Sequence, residues 1–178
     1  GAGAFSARHV LADTGSKSGF THGVASGDPL ADRVIIWSRY VPPTGTKPVN
    51  NVIWQVAYDR SFGDLAASGV TKTSAERDFT IKVDAMGLKP GRRYFYRFVV
   101  NGQHSDIGST KTLPKGGVKQ FRMGVASCSN YPQGYFHAYD DIAKNDLDLV
   151  LHLGDYLYEY ARGRYVNPIA EETLGRAV

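Results

Sequence analysis

Leu88-Lys-Pro-Gly-Arg-Arg-Tyr-Phe-Tyr-Arg-Phe-Val-Val100 is a turn running into a strand. Pro90-Gly91 breaks any preceding regular structure, and Arg93 to Val100 is rich in the aromatic and β-branched side chains that suit a pleated sheet. Asn101-Gly102 comes next, a pair that tolerates the positive φ angles of a tight hairpin, so the chain is expected to fold back through Gln103 to Lys111. Working outward, Arg33-Val-Ile-Ile-Trp-Ser-Arg39 and Val52-Ile-Trp-Gln-Val-Ala-Tyr58 read as further strands. Asp78-Phe-Thr-Ile-Lys-Val-Asp84 alternates apolar with polar residues, as a strand with one wet face does. From Phe20 to about Thr112 no convincing amphipathic helix appears, and the region reads as all-β.

Within this region Leu88-x-Pro90-Gly91-x-x-Tyr94 resembles the tyrosine corner of immunoglobulin-like and fibronectin type III sandwiches, in which a tyrosine hydroxyl ties the start of a strand to the preceding loop. Tyr94 is the expected corner residue and Trp37 an expected core aromatic. The aromatic residues are read as sandwich core rather than as a platform for sugar or peptide.

Leu113-Pro-Lys-Gly-Gly117 punctuates the chain and reads as a linker. The expected organisation is an amino-terminal tail over 1–19, a β-sandwich over 20–113, a linker over 114–120 and the start of a second domain over 121–178. In that second part, Phe121 to Ala126 and Asp148 to Leu153 are short apolar strands. Between them, Gly134 to Asn145 would place Phe136, Tyr139, Ile142 and Ala143 on one helical face. A strand, helix and strand in this order predicts a βαβ unit with parallel strands, whose carboxyl ends share one sheet edge. Open α/β folds bind ligands at that edge, and Cys128 and Asp155 both lie just past it. About 60 residues are too few for a complete α/β domain, which typically exceeds about 100. Tyr160 to Val178 has no clear period and is expected to lie as a loop or lid over the strand ends.

Composition narrows the possibilities. The 178 residues are 42% hydrophobic and can bury a substantial core, while a formal charge of +4 and a pI near 9.1 are mild. No basic stripe interleaved with aromatics is apparent in the sequence, which argues against specific nucleic-acid recognition. An anionic substrate remains compatible. A single cysteine excludes an internal disulfide framework and a zinc site built from several thiolates. No apolar run approaches the roughly 18 residues that span a bilayer.

The chain resembles the PhoD family of alkaline phosphatases and phosphodiesterases. The resemblance rests on Phe20-Thr-His-Gly-Val-Ala-Ser-Gly-Asp-Pro29, Trp37-Ser-Arg39, the Leu88 to Tyr94 corner, Ala126-Ser-Cys128 and His152-Leu-Gly-Asp-Tyr-Leu-Tyr-Glu-Tyr160, in the family's order. It implies an amino-terminal immunoglobulin-like sandwich followed by a metallophosphatase domain, a four-layer α/β/β/α arrangement of which this chain would hold the first βαβ unit. It also implies a ferric ion (Fe3+) with calcium (Ca2+) as companion, hydrolysis of phosphate monoesters or diesters, and secretion to the bacterial periplasm or cell exterior. Carried over by motif position, Cys128 and Tyr158 would be iron ligands and Asp155 would bridge iron and calcium. Such chemistry suits the donors: a trivalent ion favours thiolate, phenolate and carboxylate, and calcium favours oxygen. The later asparagine and His/Asp ligand motifs of the family are absent from these residues, so the 178 residues alone are expected to be inactive.

Other polar residues receive plainer readings. His152 sits within a strand and is expected to be a satisfied sheet-face histidine, and His22 and His137 are treated likewise. Tyr156, Tyr158 and Tyr160 alternate, so any of them can pack inward. Asn130 reads as a polar loop residue, Asp140 and Asp141 as solvated carboxylates, and Ser127 has no discernible triad partners. Arg162 and Arg164 read as charged loop residues. The rival class is a cell-surface or carbohydrate-binding sandwich without catalysis. A purple acid phosphatase is a second enzymatic alternative, which would place aspartate where Cys128 stands.

Overall fold

The computed structural model describes residues 19–45, 51–131 and 135–158. The chain divides into two compact units, residues 1–116 and 117–178.

The first unit contains two antiparallel sheets. Strands β1 (Val24–Gly27), β2 (Arg33–Arg39) and β5 (Thr80–Met86) form one, in the order β1-β2-β5. The other contains β3 (Asn51–Ala57), β4 (Leu65–Lys72) and β6 (Arg93–Val100), with β3 between β4 and β6. Strands β7 (Gln103–His104) and β8 (Gly108–Lys111) pair in succession with β6. Alternate residues point inward, as the period of a strand requires. Val34, Ile36, Ile81, Val83 and Ala85 from one sheet share a core with Val52, Val56, Tyr94, Tyr96, Phe98 and Val100 from the other. Each fully buried large side chain stabilises the fold by about 1.5–3 kcal/mol relative to exposure.

The same alternation corrects one expectation. Val34, Ile36 and Ser38 occupy the buried face of β2, so Trp37 falls on the opposite face and is only half-buried. Tyr94, Tyr96 and Phe98 are 0–2% exposed and are therefore core, with no ring surface to offer a sugar. The strand expected over Gln103 to Lys111 is interrupted at Ser105. There the side chain takes over half of the ladder: the Ser105 N–H donates to the Phe98 carbonyl at 2.9 Å, but the Phe98 N–H donates to Ser105 Oγ at 2.9 Å, and the Ser105 hydroxyl donates to the Asp106 carbonyl at 2.8 Å. Strand β4 was not anticipated, because Ala66, Ala67, Ser68 and Gly69 carry weak strand signals. Gly69 is nevertheless suited to its place, since a Cβ there would meet the Trp54 indole at 2.8 Å.

In the second unit, β9 (Met123–Ala126) and β10 (Leu149–His152) pair in parallel, with Leu149 beside Met123 and His152 beside Ala126. Helix α1 (His137–Lys144) makes the crossover. It starts later than the apolar pattern predicted. Phe136, with φ of 58°, is in the left-handed region and caps the helix instead of continuing it. Tyr139 and Ile142 are half-buried as the helical face requires, but Ala143 is exposed. Gly124 lets the connection approach the sheet: a Cβ there would lie 2.9 Å from Leu147 Cδ1 and 3.6 Å from Ile142. Val125 and Leu151 remain about half exposed. Tyr160, Arg162, Arg164 and the rest of the expected lid lie outside the described residues, as does Gly134, the first residue of the predicted helix. No helix among the described residues is long and apolar enough to cross a membrane.

Candidate metal centre

Strands β9 and β10 end side by side, and the two loops that leave them remain joined. The Leu153 N–H donates to the Ala126 carbonyl at 2.9 Å, the Cys128 N–H to the Gly154 carbonyl at 3.4 Å and the Ser129 N–H to the Asp155 carbonyl at 3.1 Å. The Tyr158 N–H then donates to the Ser129 carbonyl at 2.9 Å, and Asn130 bridges Tyr158 in parallel. Four such links hold residues some thirty positions apart in sequence on one short edge.

The path of each loop is unusual in one respect. Cys128 has φ of 58° and Asp155 has φ of 47°, both in the left-handed region that side chains other than glycine rarely occupy. Gly154 precedes Asp155 with φ of 111° and supplies the turn that no L-residue makes without strain. Such conformations persist only where surrounding bonds over-determine them, and they concentrate at functional sites.

The side chains converge as a result. Cys128 Sγ lies 3.6 Å from Asp155 Oδ2, and the Tyr158 hydroxyl lies 3.7 Å from the same sulfur. Cys128 and Asp155 are exposed and Tyr158 is half-buried, so the cluster is open to solvent and to a ligand. The Asp155 carboxylate, hydrogen-bonded to Tyr158, raises the phenol above its ordinary range, with the Cys128 thiol adding to the effect. A carboxylate beside the phenol disfavours the phenolate, and a positive charge brought to that oxygen would favour it. Cation binding is the ordinary way to reverse that balance, since ligation requires deprotonated donors.

A second observation concerns Asn130. Among the described residues its side-chain Oδ1 is buried without a hydrogen-bond partner, although it stands two residues after Cys128 on the loop paired with Tyr158. A buried amide oxygen left unpaired costs about 1–3 kcal/mol. The donor set therefore contains one sulfur, one carboxylate and one phenol in mutual reach, with an orphaned neutral oxygen nearby. These are donor types that a metal cation can take once the thiol, carboxyl and phenol are deprotonated.

The other marked residues are placed as follows. Tyr156 is 75% exposed and its ring packs beside His152, so among the described alternating tyrosines it is Tyr158 whose hydroxyl reaches the sulfur. Asp140 pairs with Lys144 along the helix, and both Asp140 and Asp141 are exposed. His137 is exposed and stacks on Tyr135, while His22 lies in the first unit against Thr21 and Arg39. His152 accepts a hydrogen bond from Gly154 and contacts Tyr139. The roles of Ser129 and Tyr139 carried no signal in the sequence, because a serine after a cysteine and a tyrosine on an apolar helix face are both ordinary.

Comparison with known proteins adds an independent line. A family profile described as PhoD-like phosphatase, N-terminal domain, matches residues 5–114, and one described as PhoD-like phosphatase matches residues 123–178. Alkaline phosphatase D of Bacillus subtilis (strain 168) is 42% identical over 158 residues, which cover 83% of this chain and 27% of the relative. The solved structure of PhoD superposes with a TM-score of 0.79 at 42% identity, covering 85% of this chain and 30% of that one. The chain thus spans about a quarter of the length of the curated relative it matches.

Proposed function

The chain belongs to the PhoD-like phosphatase family, and on that premise we propose that it contributes an immunoglobulin-like sandwich and the first βαβ unit of a metallophosphatase domain to an enzyme hydrolysing phosphate monoesters or diesters. The family implies metal dependence. The observation that carries the reading is the meeting of Cys128, Asp155 and Tyr158 at one strand edge, at 3.6 and 3.7 Å. Cys128 and Tyr158 would hold a ferric ion, and Asp155 would be shared between that ion and calcium. When bound, the two cations would supply Lewis acidity toward the phosphate oxygens and lower the pKa of a water molecule.

This chain's own residues have definable tasks in that scheme. Asp155 contributes the charge that both cations require, from a carboxylate whose backbone is held by the Ser129 N–H. Tyr158 would offer its phenol oxygen to the ferric ion, beside the Asp155 carboxylate that holds the phenol above its ordinary range. Cys128, at the open end of β9, offers a soft anionic donor that distinguishes the centre from an all-oxygen site. The expected substrate is an anionic phosphate ester, and secretion to the periplasm or cell exterior is proposed with it. Domain limits of 20–113 for the sandwich and 121 onward for the catalytic portion are part of the same reading.

The test uses the complete protein with Cys128→Ala. Iron content by elemental analysis and hydrolysis of a nitrophenyl phosphate and a bis-nitrophenyl phosphate should fall together, and the visible absorption expected of ferric thiolate and phenolate should disappear. Retention of full iron content in that variant overturns the assignment of Cys128.

A further inference from the structure

Behind the proposed ligands runs a continuous set of hydrogen bonds. The Gly154 N–H donates to His152 Nδ1 at 3.3 Å, His152 Nε2 lies 2.9 Å from the Tyr139 hydroxyl, and that hydroxyl is in close hydrogen-bond contact with Ser129 Oγ. The direction of the chain follows from its first link. A backbone N–H can donate to Nδ1 only if that nitrogen carries no proton, which leaves the neutral ring's hydrogen on Nε2. Nε2–H therefore donates to the Tyr139 oxygen, and the tyrosine O–H is free to donate to Ser129 Oγ. The rings of Tyr139 and His152 are parallel to within 1°, with centroids 6.3 Å apart. Ser129 is 8% exposed, so the bond ends in a protected place.

Each end of this chain adjoins a strained ligand position. Gly154 immediately precedes Asp155, and Ser129 immediately follows Cys128; both Cys128 and Asp155 have positive φ. Ser129 also uses its backbone at both faces, its N–H on Asp155 and its carbonyl on Tyr158. Tyr139 comes from α1, so the crossover helix braces the two loops through one hydroxyl. We propose that Tyr139 and His152, acting through Ser129 and Gly154, are positioning residues that hold Cys128, Asp155 and Tyr158 in ligating geometry, an inference that rests on the metal-site reading above.

Outer groups of this kind commonly govern metal affinity by about 10-fold to 100-fold. The experiment loads the complete protein with ferric iron and calcium and compares Tyr139→Phe, His152→Gln and their combination with Cys128→Ala. Iron affinity and the position of the visible absorption band are read beside the melting temperature. The expected result is iron binding about 10-fold weaker or worse in each single variant, with a displaced band at full occupancy. The combined variant should lose little more than the poorer single one, because both changes cut the same chain. A role confined to stability would lower the melting temperature and leave the band where it was, and that outcome overturns the proposal. So does affinity within about twofold of the unaltered protein, or losses that multiply in the combination. If Tyr139→Phe fails to fold, Ser129→Ala removes the same link at its other end and carries the same expectation. Retained iron and colour in Cys128→Ala would instead count against the metal site itself, whatever Tyr139 and His152 do.

Discussion

Tyr94 shows how much one oxygen atom can hold. Its hydroxyl accepts the Lys89 N–H at 2.7 Å and lies 3.4 Å from the Lys89 carbonyl, closing the loop before β6 onto the strand's second residue. Thr112 reinforces the same loop from the other side, donating to the Lys89 carbonyl at 2.7 Å. Tyr94→Phe keeps the buried ring but leaves the Lys89 N–H without its acceptor, and should cost about 1–3 kcal/mol in denaturant-induced unfolding. A change below about 0.5 kcal/mol would mean that water or a shifted loop replaces the bond. At the candidate metal centre, Cys128, Asp155 and Tyr158 could be marked in the sequence because they follow recognisable strands in a recognisable motif. The positive φ of Cys128 and Asp155 could not, since nothing in a cysteine or an aspartate demands that conformation. It accompanies the four backbone links between the loops.

At the scale of elements, strand limits follow from alternation where one face is buried and blur where it is not. Strand β6 spans Arg93–Val100 as its composition suggests, because every second residue is core. Strand β4 leaves little trace in the sequence because its alternating burial is shallow and its residues are small. Glycines mark where elements approach most closely. At Gly108 on β8, a Cβ would sit 2.2 Å from Cζ of the buried Tyr96 ring. Gly108→Ala should therefore destabilise the sandwich by about 1–3 kcal/mol or more. Gly27→Ala on β1, where nothing lies within 4 Å, should stay within about 0.5 kcal/mol. Equal melting temperatures for the two variants would show that β8 shifts freely. Helix α1 was legible through Tyr139 and Ile142, but its start was not, because the left-handed Phe136 leaves no trace in hydrophobic period.

For the whole molecule, pH resolves two opposing limbs of stability. Arg39 pairs with Asp78 at 2.7 Å and holds that carboxyl below its ordinary value of 3.8. A depressed carboxylate stabilises the fold above its unfolded pKa, and the contribution disappears as pH falls through the folded one. Asp78→Asn should flatten the acid limb modestly, since the pair is exposed and screened by salt. Burial acts the other way on Tyr96, pushing its phenol from 10.0 up to about 12. That contribution is complete below pH 10 and is lost as pH rises through about 12. The shift corresponds to about 2–3 kcal/mol, so Tyr96→Phe should reduce the loss of stability between those values in unfolding measured against pH. An unchanged alkaline limb would assign the loss to other tyrosines. Sandwich strands and crossover unit could be read along the chain because strand and helix periods, and the turn chemistry of Pro90-Gly91 and Asn101-Gly102, are local properties of a few residues. Trp37 facing away from the core, the break at Ser105, and the chain of Ser129, Tyr139, His152 and Gly154 could not. Each depends on which distant segment lies alongside, and register between segments is set by packing and by hydrogen bonds that exist only once the chain has closed.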